Sequence, residues 1–141
     1  MKRYLLGLIL VSQFILISCG EDSTESVILG TWLGTNIVRE DCDDPLNNGG
    51  LNCVNNLDQC FSCIQFELGR DGSYTLTANF EASPNNESGE YEAKNSVIRL
   101  KPTGGDAYNL PISNVSESTM TIDLLLTNGC TAVITLKNTD C

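Results

Sequence analysis

Apolar and polar residues alternate with period two through most of the chain beyond residue 62. Such alternation lays one apolar face along each of a series of β-strands. Ile64, Phe66 and Leu68 share one face, with Gln65 and Glu67 on the other. Gly69-Arg70-Asp71-Gly72 predicts a tight turn, because Asp-Gly suits the positive φ values of a hairpin. Tyr74, Leu76, Ala78 and Phe80 then alternate with Ser73, Thr75, Thr77 and Asn79. Past a predicted loop at Ser83-Pro84-Asn85-Asn86, Gly89, Tyr91 and Ala93 stand against Glu90 and Glu92. Lys94-Asn95 turns the chain into Ser96 to Lys101, where Ile98 and Leu100 oppose Arg99 and Lys101. Gly104-Gly105 breaks the pattern again before Tyr108, Leu110 and Ile112, which are followed by Met120, Ile122, Leu124 and Leu126. Asn128-Gly129 leads into Thr131 to Lys137, whose inward set is Ala132, Ile134 and Leu136.

A further strand around Thr31 to Arg39 brings the total to about eight, and no segment carries a strong helical stripe. Short loops between consecutive strands imply antiparallel neighbours, and one apolar face per strand implies a single enclosed interior. The expected fold is all-β, an up-and-down antiparallel barrel that leaves no exposed edges. A two-sheet sandwich is the competing arrangement. The predicted interior holds Trp32, Phe66, Tyr74, Phe80, Tyr91 and Tyr108 with many aliphatic side chains and no charge.

The chain begins differently. Lys2 and Arg3 precede an apolar run from Tyr4 to Ile17, shorter than the roughly 20 residues that a membrane span needs. It reads as a signal peptide over residues 1–18. Leu16-Ile17-Ser18-Cys19 resembles the bacterial lipobox, and that resemblance makes Cys19 the lipidated first residue of the mature chain. Acyl chains on one residue would hold a soluble domain at a bilayer, each buried methylene contributing about 0.8 kcal/mol. Residues 19–26 form an acidic, polar tether with nothing to bury. Its acidic residues after Cys19 resemble the surface-export signal of Bacteroidetes lipoproteins, and Asp22-Ser23-Thr24 resembles the O-glycosylation motif of that group. The expected location is the outer membrane, on the cell surface, and the expected membrane contact is the lipid anchor. Residues 27–141 form the folded domain.

Charge and composition narrow the function. The net charge of −10 argues against nucleic acid as a partner, because phosphate binding needs a basic face. With no histidine, a Ser-His-Asp triad, a Cys-His dyad and His-ligated zinc are excluded. No inward carboxylate pair and no phosphate-binding glycine loop is visible, so no enzyme and no cofactor is expected. The oxygen-rich loop Asp41, Asp43, Asp44, Asn47 and Asn48 could suit calcium, but it lacks EF-hand spacing and also fits a solvated turn.

The chain has 7 cysteines; apart from Cys19, these are Cys42, Cys53, Cys60, Cys63, Cys130 and Cys141. An even number in an exported domain favours disulfides. Four lie in or beside the loop from Glu40 to Ser62, whose ordering cost cross-links would lower by about 2–4 kcal/mol each. Alternating strand direction puts Cys130 at the same end of the barrel as this loop, so Cys130 should bond into it. A bond to Cys141 would have to bridge about seven strand residues at about 3.3 Å each, beyond disulfide reach. Cys60-Phe61-Ser62-Cys63 could instead be a redox pair or, with Cys42 and Cys53, a zinc site. The motif leads into a strand rather than a helix, and export favours disulfides over thiolates.

Gly30-Thr31-Trp32 at the first strand resembles the Gly-x-Trp motif of lipocalins. Phe66 with Asp71-Gly72-Ser73-Tyr74, and Ser88-Gly89-Glu90-Tyr91, resemble elements of small lipocalin-like lipoproteins. The resemblance extends over about residues 27 to 137. It implies that Trp32 packs across the closed end of the barrel. The cysteine-rich insertion after the first strand departs from the pattern. Two functions follow as expectations. One is binding of a small apolar ligand among the six aromatic residues of the interior. The other is a filled barrel that serves as a surface structural or protein-interaction module through its cysteine-rich loop.

Overall fold

The computed structural model describes residues 27–79 and 85–141. In chain order the strands are β1 (Gly30–Glu40), then the short β2 (Gly49–Gly50), β3 (Asn55–Asn56) and β4 (Phe61–Ser62) of the cysteine-rich loop. They continue as β5 (Ile64–Leu68), β6 (Ser73–Ala78), β7 (Asn85–Lys94), β8 (Val97–Pro102), β9 (Tyr108–Ser113), β10 (Thr119–Leu125) and β11 (Thr131–Thr139). From β5 to β11 each strand pairs antiparallel with the next, and β1 pairs with β5. Register between β1 and β11 then runs from Thr31 opposite Thr139 to Glu40 opposite Thr131. This pairing of first and last long strands closes the eight-stranded barrel and removes the sandwich alternative.

Alternation decides which side chains enter. Ile64, Phe66, Leu68, Tyr74, Leu76, Tyr91, Ile98, Leu100, Leu110, Ile112, Met120, Ile122, Ala132, Ile134 and Leu136 all belong to one core cluster. Trp32 lies one residue past Thr31, and its indole N–H donates to the Ile28 carbonyl at 2.7 Å. Ile28 is itself fully buried, so the chain segment before β1 crosses and seals this end. The expected place of Trp32 at the closed end is what the fold contains. The loop at 41–63, the turn at 126–130 and the entrances to β7 and β9 lie at the opposite end, the mouth.

The inner face of β1 does not keep a single phase. A bulge falls between Gly34 and Asn36, so that Gly34 lies opposite Leu136 while Asn36 lies opposite Thr135. One extra residue on a strand shifts every later side chain to the other face. Ile37 therefore pairs with Ile134 and Arg39 with Ala132, both partners pointing inward. The bulge is supported from the side: the Ser62 hydroxyl, itself buried, donates to the Gly34 carbonyl at 2.8 Å and accepts from the Ile64 N–H at 3.3 Å. Gly34 has no alternative residue here, since a Cβ would overlap the Ile64 side chain.

Beyond Leu33, β5 no longer accompanies β1, and β2 takes its place, Val38 opposite Gly50 and Arg39 opposite Gly49. The short β3–β4 pair lies against β1. Leu33 lies outside the core cluster and faces outward, opposite Gln65 and Lys137, yet none of its surface is exposed. The cysteine-rich loop packs on the core, with Cys42 and Cys63 inside the cluster and Leu51 and Cys53 partly buried against it.

Two sequence expectations need correction. The stretch Asn85-Asn86 is not loop: β7 begins at Asn85, with Asn85 opposite Ala78. The interior is also not free of charge, because Glu87 and Arg39 both lie in inward register. The signal peptide at 1–18, Cys19, the tether to residue 26 and Phe80 fall outside the described residues.

Candidate functional site

The interior is built from its own side chains. Trp32, Ile64, Phe66, Ile98, Leu100, Met120, Ile122, Ile134 and Leu136 show 0% exposure, and Tyr74 and Tyr91 only 3% and 4%. A chamber wide enough for water would leave accessible surface on the residues lining it. These residues have none, so the centre and closed end of the barrel are packed solid, as interiors normally are. Phe66 and Tyr74 meet edge to face with ring centroids 6.3 Å apart.

Polar groups converge nearer the mouth. Glu87 is the third residue of β7 and lies opposite Leu76 of β6, two residues from Gly89 and four from Tyr91 on the same face. Its Oε1 accepts two phenol hydrogen bonds, from Tyr74 and from Tyr108, each at 2.6 Å. Tyr74 rises from the neighbouring strand β6, and Tyr108 is the first residue of β9, two strands away on the other side. The space between them is that of Gly89, which brings β7 so close to β8 that a Cβ would overlap the Lys101 carbonyl. Burial raises both phenol pKa values above the usual tyrosine range, and the adjacent Glu87 carboxylate raises them further. Both phenols therefore remain hydrogen-bond donors. Tyr91 lies apart from this group, donating from its hydroxyl to the Gly69 carbonyl at 3.0 Å.

The six aromatic residues proposed from the sequence thus divide. Trp32 and Phe66 are core packing, Tyr91 bonds the β5–β6 turn, Tyr74 and Tyr108 meet at Glu87, and Phe80 lies outside the described residues. Sequence reasoning missed Glu87, although it continues the inward series of Gly89 and Tyr91 at period two. The turn-like composition of Ser83 to Asn86 concealed the start of the strand. Arg39 was hidden by the bulge in β1; its Nε is sequestered and has no hydrogen-bond partner among the described residues.

All six cysteines of the folded domain are paired: Cys42 with Cys130, Cys53 with Cys63, and Cys60 with Cys141. Cys130 bonds into the loop, as strand direction requires. Cys60 and Cys63 have different partners, so the Cys-x-x-Cys segment is neither a redox pair nor a set of free thiolates for zinc. The acidic segment serves the loop itself. Asp44 Oδ1 accepts from the Leu46 N–H at 3.0 Å and caps the 3-10 turn Pro45–Asn47, while Asn48 Oδ1 accepts from the Cys42 N–H at 3.2 Å.

On the outer wall, an open depression of about 640 Å³ runs over Ser73, Thr75, Ser88, Gly89, Glu90, Lys101 and Thr103. Tyr74 and Pro102 also line it, so polar side chains surround one aromatic and one proline ring. Apolar exposure lies elsewhere: Leu46, Val54 and Phe61, all on the cysteine-rich loop, are 91%, 69% and 53% exposed, and Leu125 at the mouth end of β10 is 77% exposed.

The profile of a family described as lipocalin-like domain matches residues 28–122. The chain belongs to the lipocalin-like domain family. Its barrel is accordingly a fold of the ligand-binding type, in a family that is generally non-enzymatic. A lipocalin-like protein from Bacteroides uniformis, known from a crystal structure, superposes with a TM-score of 0.47 at 10% sequence identity, covering 77% of this chain and 96% of that one. No curated protein matches.

Proposed function

We propose that this protein is a lipid-anchored, non-enzymatic lipocalin-like barrel that works through its outer surface, presenting its disulfide-bonded loop to another protein. The packed interior carries this reading. Nine large side chains from around the barrel have no accessible surface at all. A small apolar molecule could enter that space only by displacing them, and opening such a packed core costs several kcal/mol. The loop supplies what a docking surface needs: exposed Leu46, Val54 and Phe61 beside Asp41, Asp43, Asp44 and Asp58, held by covalent cross-links. A rigid loop loses little conformational entropy on binding. Its acidic surround suits a partner with a basic rim.

The test pairs a measurement on the purified full-length protein with one on cells that carry it. Native mass spectrometry should find no co-purified apolar small molecule. Cross-linking on intact cells should give a discrete protein adduct that Phe61→Asp with Leu46→Asp abolishes while thermal unfolding stays unchanged. A stoichiometric apolar passenger, or an adduct indifferent to both substitutions, overturns the reading.

A further inference from the structure

We propose that Glu87 anchors a second site at the mouth of the barrel, one that takes a small organic ammonium ion. The two phenol bonds both end on Oε1. Among the described residues, no donor reaches Oε2, and that atom is not sequestered. Half of the carboxylate is therefore committed to the fold and half stands open.

Among the described residues, nothing cationic completes the pair. Among the described residues the ion pair is that of Lys101 with Glu92. Arg99 and Lys101 alternate along β8 with the buried Ile98 and Leu100 and so lie on its outer face, in register with Glu92 and Glu90 of β7. Arg39 faces inward, yet no ion pair joins it to Glu87. A charge-assisted N–H bond to the open oxygen contributes about twice what a neutral donor gives.

The same features set the ligand class. Anions are repelled by the carboxylate. A divalent metal asks for several oxygen ligands around it, and here there is one carboxylate beside two protonated phenols. An alkylammonium group needs only one carboxylate oxygen, and the half-buried ring of Tyr108 at the rim adds an aromatic face for the cation. Because the barrel below is filled, the ligand must be small and its apolar body must rest at the mouth.

Isothermal titration of the full-length protein with benzylammonium chloride, and separately with benzyl alcohol as the neutral isostere, tests the site. Benzylammonium should bind saturably and benzyl alcohol at least about tenfold more weakly. Glu87→Gln keeps an oxygen for the two phenols, so it should stay folded, with the strand signal in circular dichroism unchanged, while its benzylammonium affinity falls about tenfold or more. Tyr108→Phe keeps the carboxylate and the ring, and should retain saturable binding. Equal affinity for the alcohol, full affinity in Glu87→Gln, or no saturable heat at millimolar benzylammonium overturns the proposal. The interaction of the cysteine-rich loop is unaffected by any of these outcomes.

Discussion

At the scale of residues, the decisive group is Glu87 with its two tyrosines. Buried phenols whose hydroxyls found no acceptor would each cost about 1–3 kcal/mol, and one carboxylate oxygen satisfies both. The arrangement also has a consequence at high pH. Both phenols hold their protons in the folded state above the unfolded value of 10.0, so the folded chain keeps protons that the unfolded chain releases. Their contribution to stability is full below pH 10.0 and is lost as the pH climbs beyond it. Chemical denaturation across the alkaline range should therefore show stability falling steeply above that point. Tyr74→Phe with Tyr108→Phe should flatten this limb while lowering stability near neutrality by about 1–3 kcal/mol. An alkaline limb unchanged in the double variant would mean that other groups govern it.

At the scale of elements, β1 is the hub. It pairs with β11 along its whole length, with β5 at one end and with β2 at the other. The Gly34–Asn36 bulge lets one strand serve all three, because the added residue bends the strand and turns Ile37 inward. The disulfides complete the hub with different exposures. Cys130 is fully buried and Cys42 nearly so, whereas Cys60 and Cys141 are both exposed. Mild dithiothreitol should reduce Cys60–Cys141 first, and the β3–β4 hairpin should then become protease-sensitive while the strand signal in circular dichroism persists. Removing the buried bond, as Cys42→Ser with Cys130→Ser, should lower unfolding stability by about 2–4 kcal/mol. Simultaneous reduction of all three bonds would refute this order.

At the scale of the whole molecule, closure and filling go together. Eight strands leave an interior just wide enough for side chains to occupy, and this sequence supplies Trp32, Phe66 and a ring of Ile and Leu to occupy it. What remains for recognition is the rim and the cysteine-rich loop, carried on a strongly acidic surface of net charge −10. We propose that this body sits at the end of a short acidic tether on a lipidated Cys19. Growing cells expressing the protein with alkyne-tagged palmitate should label it, and Cys19→Ser should abolish both the label and membrane association. Persistent labelling of Cys19→Ser would remove the anchor from the account.

Period-two patterning determined by itself which side chain of nearly every strand points inward, since a strand exposes its two faces alternately whatever it pairs with. It also determined that Cys130 and Cys141 could not meet, because a strand between them holds them apart. Three things waited on the tertiary structure. Strand pairing joins residues as distant in sequence as Thr31 and Thr139, and only that contact distinguishes a closed barrel from two sheets. The bulge in β1 depends on Ser62 and Ile64 from another part of the chain, so the inward turn of Arg39 has no local signal. Glu87 is a charged residue beside a turn-like run, and its inward place is explained only when phenols from two other strands arrive to donate to it. Local alternation is a property of one strand; closure, bulges and buried polar groups are properties of the strands that meet it.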